Sequence, residues 1–151
     1  MEPIDRLEAI EEIRQLKARY FRCLDGRDWD GFGAVFTEDA QLDVSEEVAG
    51  NRPAVVGRER IVRLVQRAVA GATTVHHGHT PEITIETIDT AAGVWAMEDH
   101  LFWADGDPLR SMHGYGHYHE TYRRTAEGWQ IDRMALTRLR IDTDPPTDPT
   151  R

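Results

Sequence analysis

The chain has 151 residues, a formal net charge of −9 at neutral pH and a single cysteine. This length suits one domain with one hydrophobic core, and the acidic balance argues against a nucleic-acid surface, which needs clustered Lys and Arg side chains. The sequence contains no apolar run of membrane-spanning length, and its first residues lack the basic start and apolar core of a signal peptide. We therefore expect a cytoplasmic protein with neither nucleic-acid nor membrane partners.

The first half of the chain has helical periodicity. Apolar residues recur at spacings of three and four over residues 6–25, which predicts an amphipathic helix. Gly26 is expected in the left-handed conformation that closes many helices, which leaves Asp25 in the last turn. The segments predicted next are a short helix through Phe36, a strand at 41–44, a loop at 46–53 over the mouth of a cavity, and a helix at about 58–70 that stops at Gly71.

From Val75 onward the hydrophobic period changes to two. Strands are predicted at 82–88, 93–103, 111–124 and 129–142, separated by short turn sequences typical of hairpins. Helices followed by a long antiparallel meander predict an α+β fold, in which a strongly curved sheet wraps around the helices and encloses a pocket. Residues 1–142 are expected to form this single domain, and residues 143–151, with three prolines, a flexible tail.

Three polar residues fall on surfaces that should face the interior. Asp99 lies in the middle of the apolar row of the strand 93–103, and Arg138 follows Met134 and Leu136 on one face of the last strand. A buried carboxylate and a buried guanidinium each need a partner, so they either pair with each other in the core or line a cavity. Tyr20, on the inward side of the first helix, brings a hydroxyl group to the same interior.

Three of the seven histidines, His76, His77 and His79, lie just before the strand at 82. Because histidine exchanges a proton near neutral pH, this cluster is a candidate for general acid–base chemistry. Alternation favours His77 and His79, which share the parity of the apolar residues in the following strand. A bulge at Gly78 would reverse that register and turn His76 inward.

A metal site is an alternative interpretation of the other histidines. The segments His117-x-His119-Glu120 and His77-x-His79 contain the imidazoles and carboxylate of a two-histidine, one-carboxylate site. Alternating His and Tyr residues in the strand 111–124 also suit an exposed sheet face or a dimer interface.

Several motifs resemble the SnoaL-like group of the NTF2-like, cone-shaped fold, and in detail the bile acid 7α-dehydratases. They are the helix segment from Lys17 to Gly26, the later Trp29-Asp30, the segment from His76 through Pro81 to Ile85, and Glu98-Asp99 in an aromatic strand. The resemblance covers residues 7–141. It implies that five residues of this chain line the pocket: Tyr20, Asp25, His76, Asp99 and Arg138. It also implies that His76 corresponds to the catalytic histidine of the family.

The activity implied by this resemblance is that of a cofactor-independent lyase. It would eliminate water, or abstract a proton beside a carbonyl, in a hydrophobic small molecule such as a steroid or polyketide-like compound, with no metal and no organic cofactor. His76 would act as the base, with Asp25 or Asp99 on its other ring nitrogen, and Tyr20 would donate to the oxygen that gains charge. Arg138 would pair with the remaining carboxylate or hold an anionic substrate group.

Two further function classes stay open at this point. The first is a non-catalytic small-molecule-binding protein of the same fold, and the second is a metal-dependent enzyme that uses the His-x-His pairs. A homo-oligomer, either a dimer or a trimer, is also expected from the resemblance.

Overall fold

The computed structural model describes residues 1–45 and 53–145. Its helices and strands, in chain order, are α1 (Pro3–Asp25), α2 (Trp29–Ala34), β1 (Phe36–Asp43), β2 (Val55–Val56), α3 (Arg58–Ala68), β3 (Thr73–Gly78), β4 (Glu82–Ile85), β5 (Thr90–Phe102), β6 (Ser111–Thr125) and β7 (Gly128–Asp144). Among the described residues, no helix is both long and apolar enough to cross a membrane.

The seven strands form one mixed sheet in the order β2-β1-β7-β6-β5-β3, and β4 pairs with β5. All neighbours are antiparallel except β1 and β7, which run parallel because the chain crosses over between them. The sheet is curled but not closed, since β2 and β3 form its two ends. The predicted α+β cone, with helices held in a strongly curved sheet, is confirmed.

The core lies between α1 and the concave face of the sheet. The inward row of α1 includes Ile13, Leu16 and Tyr20, which are buried as their helical spacing predicts. Along β5 and β6 buried and half-buried residues alternate, so that one face of these strands packs on the helices and the other faces outward. Asp99 belongs to the buried row, as its position in the alternation predicts.

The end of α1 differs from the prediction. Gly26 has a right-handed conformation (φ −82°), and Arg27 is the residue with a positive φ of 60°. The Arg27 guanidinium donates hydrogen bonds to the carbonyl of Leu24 (2.9 Å) and to Oγ1 of Thr74 (3.0 Å). These bonds compensate for the cost of a left-handed conformation in a residue with a side chain, and they attach the helix end to β3.

Two predicted boundaries also change. The histidine cluster, predicted to lie just before the strand at 82, lies largely within a strand of its own, β3. The last strand continues to Asp144, whose carbonyl accepts a hydrogen bond from the Arg110 amide (2.7 Å), two residues into the predicted tail. The predicted loop at 46–53, apart from its last residue, and residues 146–151 lie outside the described residues.

Candidate active site

The centre of the site is a carboxylate–imidazole pair between the end of α1 and the middle of β3. Nδ1 of His76 lies 2.6 Å from Oδ1 of Asp25, and the His76 amide donates to Oδ2 (2.9 Å). The Thr74 hydroxyl donates to Oδ1 (2.9 Å). Burial raises the pKa of Asp25. The hydrogen bonds from the His76 ring and amide, the charge interaction with His76 and the hydrogen bond from Thr74 together outweigh burial, so that the pKa of Asp25 is lowered. These donors also offset the unfavourable helix dipole at this position.

His76 faces inward because the edge of the sheet changes register after β3. Gly78 lies opposite Met97, and Glu82 lies opposite Val94. The chain therefore advances four residues, from 78 to 82, along this edge while β5 covers three residues, from 97 to 94. The additional residue falls in the segment 79–81, which separates β3 from β4. The predicted reversal of register is therefore confirmed, although it occurs after Gly78.

A second ion pair lies on the other side of His76. Arg138 donates two hydrogen bonds to Asp99, Nη1 to Oδ1 (2.8 Å) and Nη2 to Oδ2 (2.9 Å), and both side chains are more than 90% buried. Nε2 of His76 lies 4.0 Å from Oδ2 of Asp99. Gly114 is opposite Asp99 in β6 and leaves room for this pair, since a Cβ atom there would lie 2.2 Å from Nη1 of Arg138. The predicted ion pair thus exists, at the wall of a cavity.

Two tyrosines lie beside these charged groups. The rings of Tyr20 and Tyr118 are 5.9 Å apart and nearly perpendicular, and Tyr20 also packs on Phe32 and Phe36. Burial raises the pKa of the Tyr20 phenol, and the negative charge of Glu120 raises it further. Burial likewise raises the pKa of Tyr118 well above its ordinary value. Both phenols therefore keep their protons at neutral pH and remain hydrogen-bond donors.

These groups line a cavity of about 280 Å³ within the cone. Its polar residues are Tyr20, His76, Asp99, Tyr118 and Arg138, and the other lining residues are apolar: Leu24, Leu42, Val44, Leu64, Val65, Ala68, Val69, Leu101, Trp103, Met112, Met134 and Leu136. An apolar enclosure with a few convergent polar groups is the usual form of a small-molecule site.

Four of the five predicted site residues line the cavity, and the fifth, Asp25, contacts His76 from behind. The structure also identifies Asp25 as the carboxylate on the second ring nitrogen of His76. Sequence reasoning missed Tyr118, although its parity in β6 matches that of the buried residues Gly114 and Glu120. The histidines on either side of Tyr118 suggested an exposed face and hid this signal.

The predicted metal set is separated by the sheet. His117 and His119 lie on the outer face of β6, whereas Glu120 points into the core and binds Lys17. His77 and His79 are exposed beside Glu98 on the outer face, at 3.6 and 3.4 Å. In residues 1–45 and 53–145, no group of three or more His, Cys, Asp or Glu side chains is arranged to hold a metal ion.

An unclosed cone of this kind is the NTF2-like fold, and an NTF2-like protein from Novosphingobium aromaticivorans superposes on this chain with a TM-score of 0.67 at 27% identity, over 90% of this chain and 85% of its own. The SnoaL-like domain model matches residues 5–135, and the chain belongs to that family.

Comparison with individual proteins agrees with this assignment. A relative from Gibberella zeae named "Probable cyclase FGR4" is 23% identical over 145 residues, which cover 87% of this chain and 92% of the relative. The crystal structure of a hexachlorocyclohexane dehydrochlorinase, LinA type 2, superposes with a TM-score of 0.80 at 17% identity and covers 94% of this chain and 93% of its own. A scytalone dehydratase-like protein from Novosphingobium aromaticivorans has a TM-score of 0.81 at 17% identity, over 93% and 90% of the two chains.

Proposed function

We propose that the protein is a cofactor-independent enzyme of lyase or isomerase type, which removes a proton beside a carbonyl group and eliminates water from a compact hydrophobic molecule. The observation that carries this proposal is the Asp25–His76 pair, in which Nδ1 of the imidazole binds Asp25 and the ring lines a largely apolar cavity. The names of the relatives, which include a cyclase, a dehydratase and a dehydrochlorinase, support the same reaction class.

His76 is the general base in this mechanism. The Asp25 carboxylate accepts a hydrogen bond from Nδ1, which favours the neutral tautomer with its proton on Nδ1, and in that tautomer Nε2 has the free electron pair that a base needs. Nε2 takes the proton from the substrate carbon, the electrons of that C–H bond form the new double bond, and the C–O bond to the leaving hydroxyl breaks. The imidazolium, stabilised by Asp25, then returns the proton to the leaving oxygen, and water departs.

The tyrosines stabilise the charge that develops on the substrate. Tyr20 and Tyr118 are protonated donors in a site with little solvent, where a hydrogen bond to a developing oxyanion is strongest. Arg138 is bound through two hydrogen bonds to Asp99, the carboxylate that does not serve Nδ1 of His76. This arrangement favours a role for Arg138 in compensating the charge of Asp99 over one in holding an anionic substrate group.

The cavity supports a compact, neutral substrate. Its 280 Å³ corresponds to about nine water molecules of liquid, which is near the lower limit of about 300 Å³ for ordinary ligand pockets. Apolar side chains dominate the lining, so a hydrophobic β-hydroxy ketone of one or two rings fits this chemistry. Three expectations from the sequence remain predictions. They are a steroid or polyketide-like substrate, a similarity to bile acid 7α-dehydratases, and a homo-oligomer that is either a dimer or a trimer.

The test is a dehydration assay on a panel of cyclic β-hydroxy ketones, followed by the near-ultraviolet absorbance of the conjugated enone. We expect His76→Ala to lower kcat by about 10²–10⁴, the usual contribution of a general base, and Tyr20→Phe to lower it by about 10². His77→Ala is the matched control, because it removes the neighbouring, exposed imidazole and should leave the rate unchanged.

Each outcome decides between the function classes. Turnover that survives in His76→Ala would refute the proposed base. If the wild-type protein turned over none of the panel but bound its members within the cavity, the non-catalytic binding protein would be the better description. A rate that depended equally on His76 and His77 would point to a chemistry outside this cavity.

A further inference from the structure

A buried ion pair lies behind the cavity wall. Lys17 is fully buried, Glu120 is 4% exposed, and Nζ of Lys17 donates a hydrogen bond to Oε1 of Glu120. The Tyr122 hydroxyl donates to Oε2 of the same carboxylate and accepts a hydrogen bond from Nε1 of Trp95 (2.8 Å). Lys17 is the only lysine in the chain, in which all other basic side chains apart from histidine are arginines. Both oxygens of Glu120 are thus held in a fixed network.

Three further contacts of Lys17 are with residues of the cavity lining. Its Nζ lies 3.9 Å from the centre of the Tyr20 ring, 3.7 Å from that of Tyr118 and 3.9 Å from Sδ of Met134. All three residues line the cavity, whereas neither Lys17 nor Glu120 does. The ammonium group is therefore held against the two phenol rings that carry the hydroxyl donors of the site.

We propose that Lys17 and Glu120 form a positioning pair, which fixes the orientation of the Tyr20 and Tyr118 hydroxyls. The proposal deepens the proposed function and rests on it for the role of the tyrosines. A cation against an aromatic face restrains the ring, because the attraction depends on the distance from its centre.

Glu120 makes this use of a lysine possible. Burial lowers the pKa of Lys17, and the charge of Glu120 and its hydrogen bond act in the opposite direction. The carboxylate thus favours the charged form of the amine, which the contact with the two rings requires. An arginine has a larger, planar head with five donors to satisfy, which suits this small space between two rings less well than an ammonium group.

The test compares two small probes that differ in one group. 4-Nitrophenolate presents an oxyanion to the cavity, and its binding is followed by its own absorbance; nitrobenzene has the same shape without the oxygen. In the double variant Lys17→Met/Glu120→Gln, which removes both charges and retains similar volumes, we expect 4-nitrophenolate to bind about tenfold more weakly. Nitrobenzene should bind within about twofold of its wild-type affinity, and Tyr20→Phe should show the same selective loss.

The ratio of the two affinities separates positioning from a purely structural role. A collapsed or loosened cavity would weaken the binding of both probes alike, and that result would overturn the proposal. The proposal would also be overturned if the double variant bound each probe with the affinity of the wild type. Failure of wild type to bind 4-nitrophenolate at all would overturn it too. None of these measurements requires turnover, so loss of enzymatic activity in the dehydration assay and loss of the positioning effect can be told apart.

Discussion

The substitution Lys17→Met should destabilise the fold far more than its conservative shape suggests. Methionine has nearly the length of lysine and would fill the same space, so little packing is lost. The change leaves the buried Glu120 carboxylate without its cation, and the single remaining donor from Tyr122 does not neutralise it. Breaking a buried pair by removing one partner costs about 3–5 kcal/mol.

The remaining stability can be followed by urea denaturation with circular dichroism. A domain of this size has about 5–15 kcal/mol in total, so Lys17→Met would use a large part of it. At roughly 2–4 °C per kcal/mol, the expected fall in Tm is about 6–20 °C. The double variant Lys17→Met/Glu120→Gln removes the unpaired charge together with its partner and should recover most of the loss, giving a strongly non-additive double-mutant cycle.

Two results would refute this reasoning. If Lys17→Met cost less than about 1 kcal/mol, Glu120 would have access to water or to another partner. If the double variant were as unstable as the sum of its single changes, the two side chains would contribute through packing and not as a pair. Arg63→Met, which removes an exposed cation near Glu59, is the matched control and should change stability by no more than about 0.5 kcal/mol.

Two further predictions concern the active-site pairs. Because the pKa of Asp25 is lowered in the folded protein, its contribution to stability is complete above the ordinary carboxyl pKa and is lost as the pH falls through the lowered value. Asp25→Asn should therefore reduce the acid dependence of the free energy of unfolding. Identical pH profiles of the variant and the wild type would contradict this. Gly114→Ala places a Cβ atom 2.2 Å from Arg138 and 2.3 Å from Asp99, so it should separate that pair. Urea denaturation should then show a free energy of unfolding lower by at least about 3 kcal/mol. Gly33→Ala is the control, because its nearest new contact is at 3.4 Å and it should lower the free energy of unfolding much less.

Alternation in the strands was sufficient to find the charged residues of the site. Asp99 and Arg138 stood out because a strand exposes every second residue to the same face, and both fell in apolar rows. Helical periodicity, with Gly26 as the expected end of the helix, placed Asp25 in the last turn of α1. The choice of His76 over its neighbours needed the resemblance, because the register of an edge strand depends on its partner across the sheet and is not visible in its own residues.

What the sequence did not reveal were groups whose role depends on distant partners. Lys17 shares the inward side of α1 with Ile13, Tyr20 and Leu24, but a lysine in an amphipathic helix normally reaches solvent. Its burial depends on Glu120, which is 103 residues away in the chain. Arg27 is similar, because its unusual backbone conformation is stabilised by groups on β3 that no local pattern links to it.

The additional residue between Gly78 and Glu82 allows both β3 and β4 to turn the required side chains inward along the same edge of the sheet. In β3 the His76 imidazole points inward, and in β4 Ile83 and Ile85 point to the same side, although the sequence positions of the imidazole and of the two isoleucines have opposite parity. Loss of one residue from 79–81 would force one set to face solvent. The length of this three-residue connection therefore determines whether His76 and the apolar residues of β4 can face the same side of the sheet, and an insertion or deletion here would alter that arrangement without changing any of these side chains.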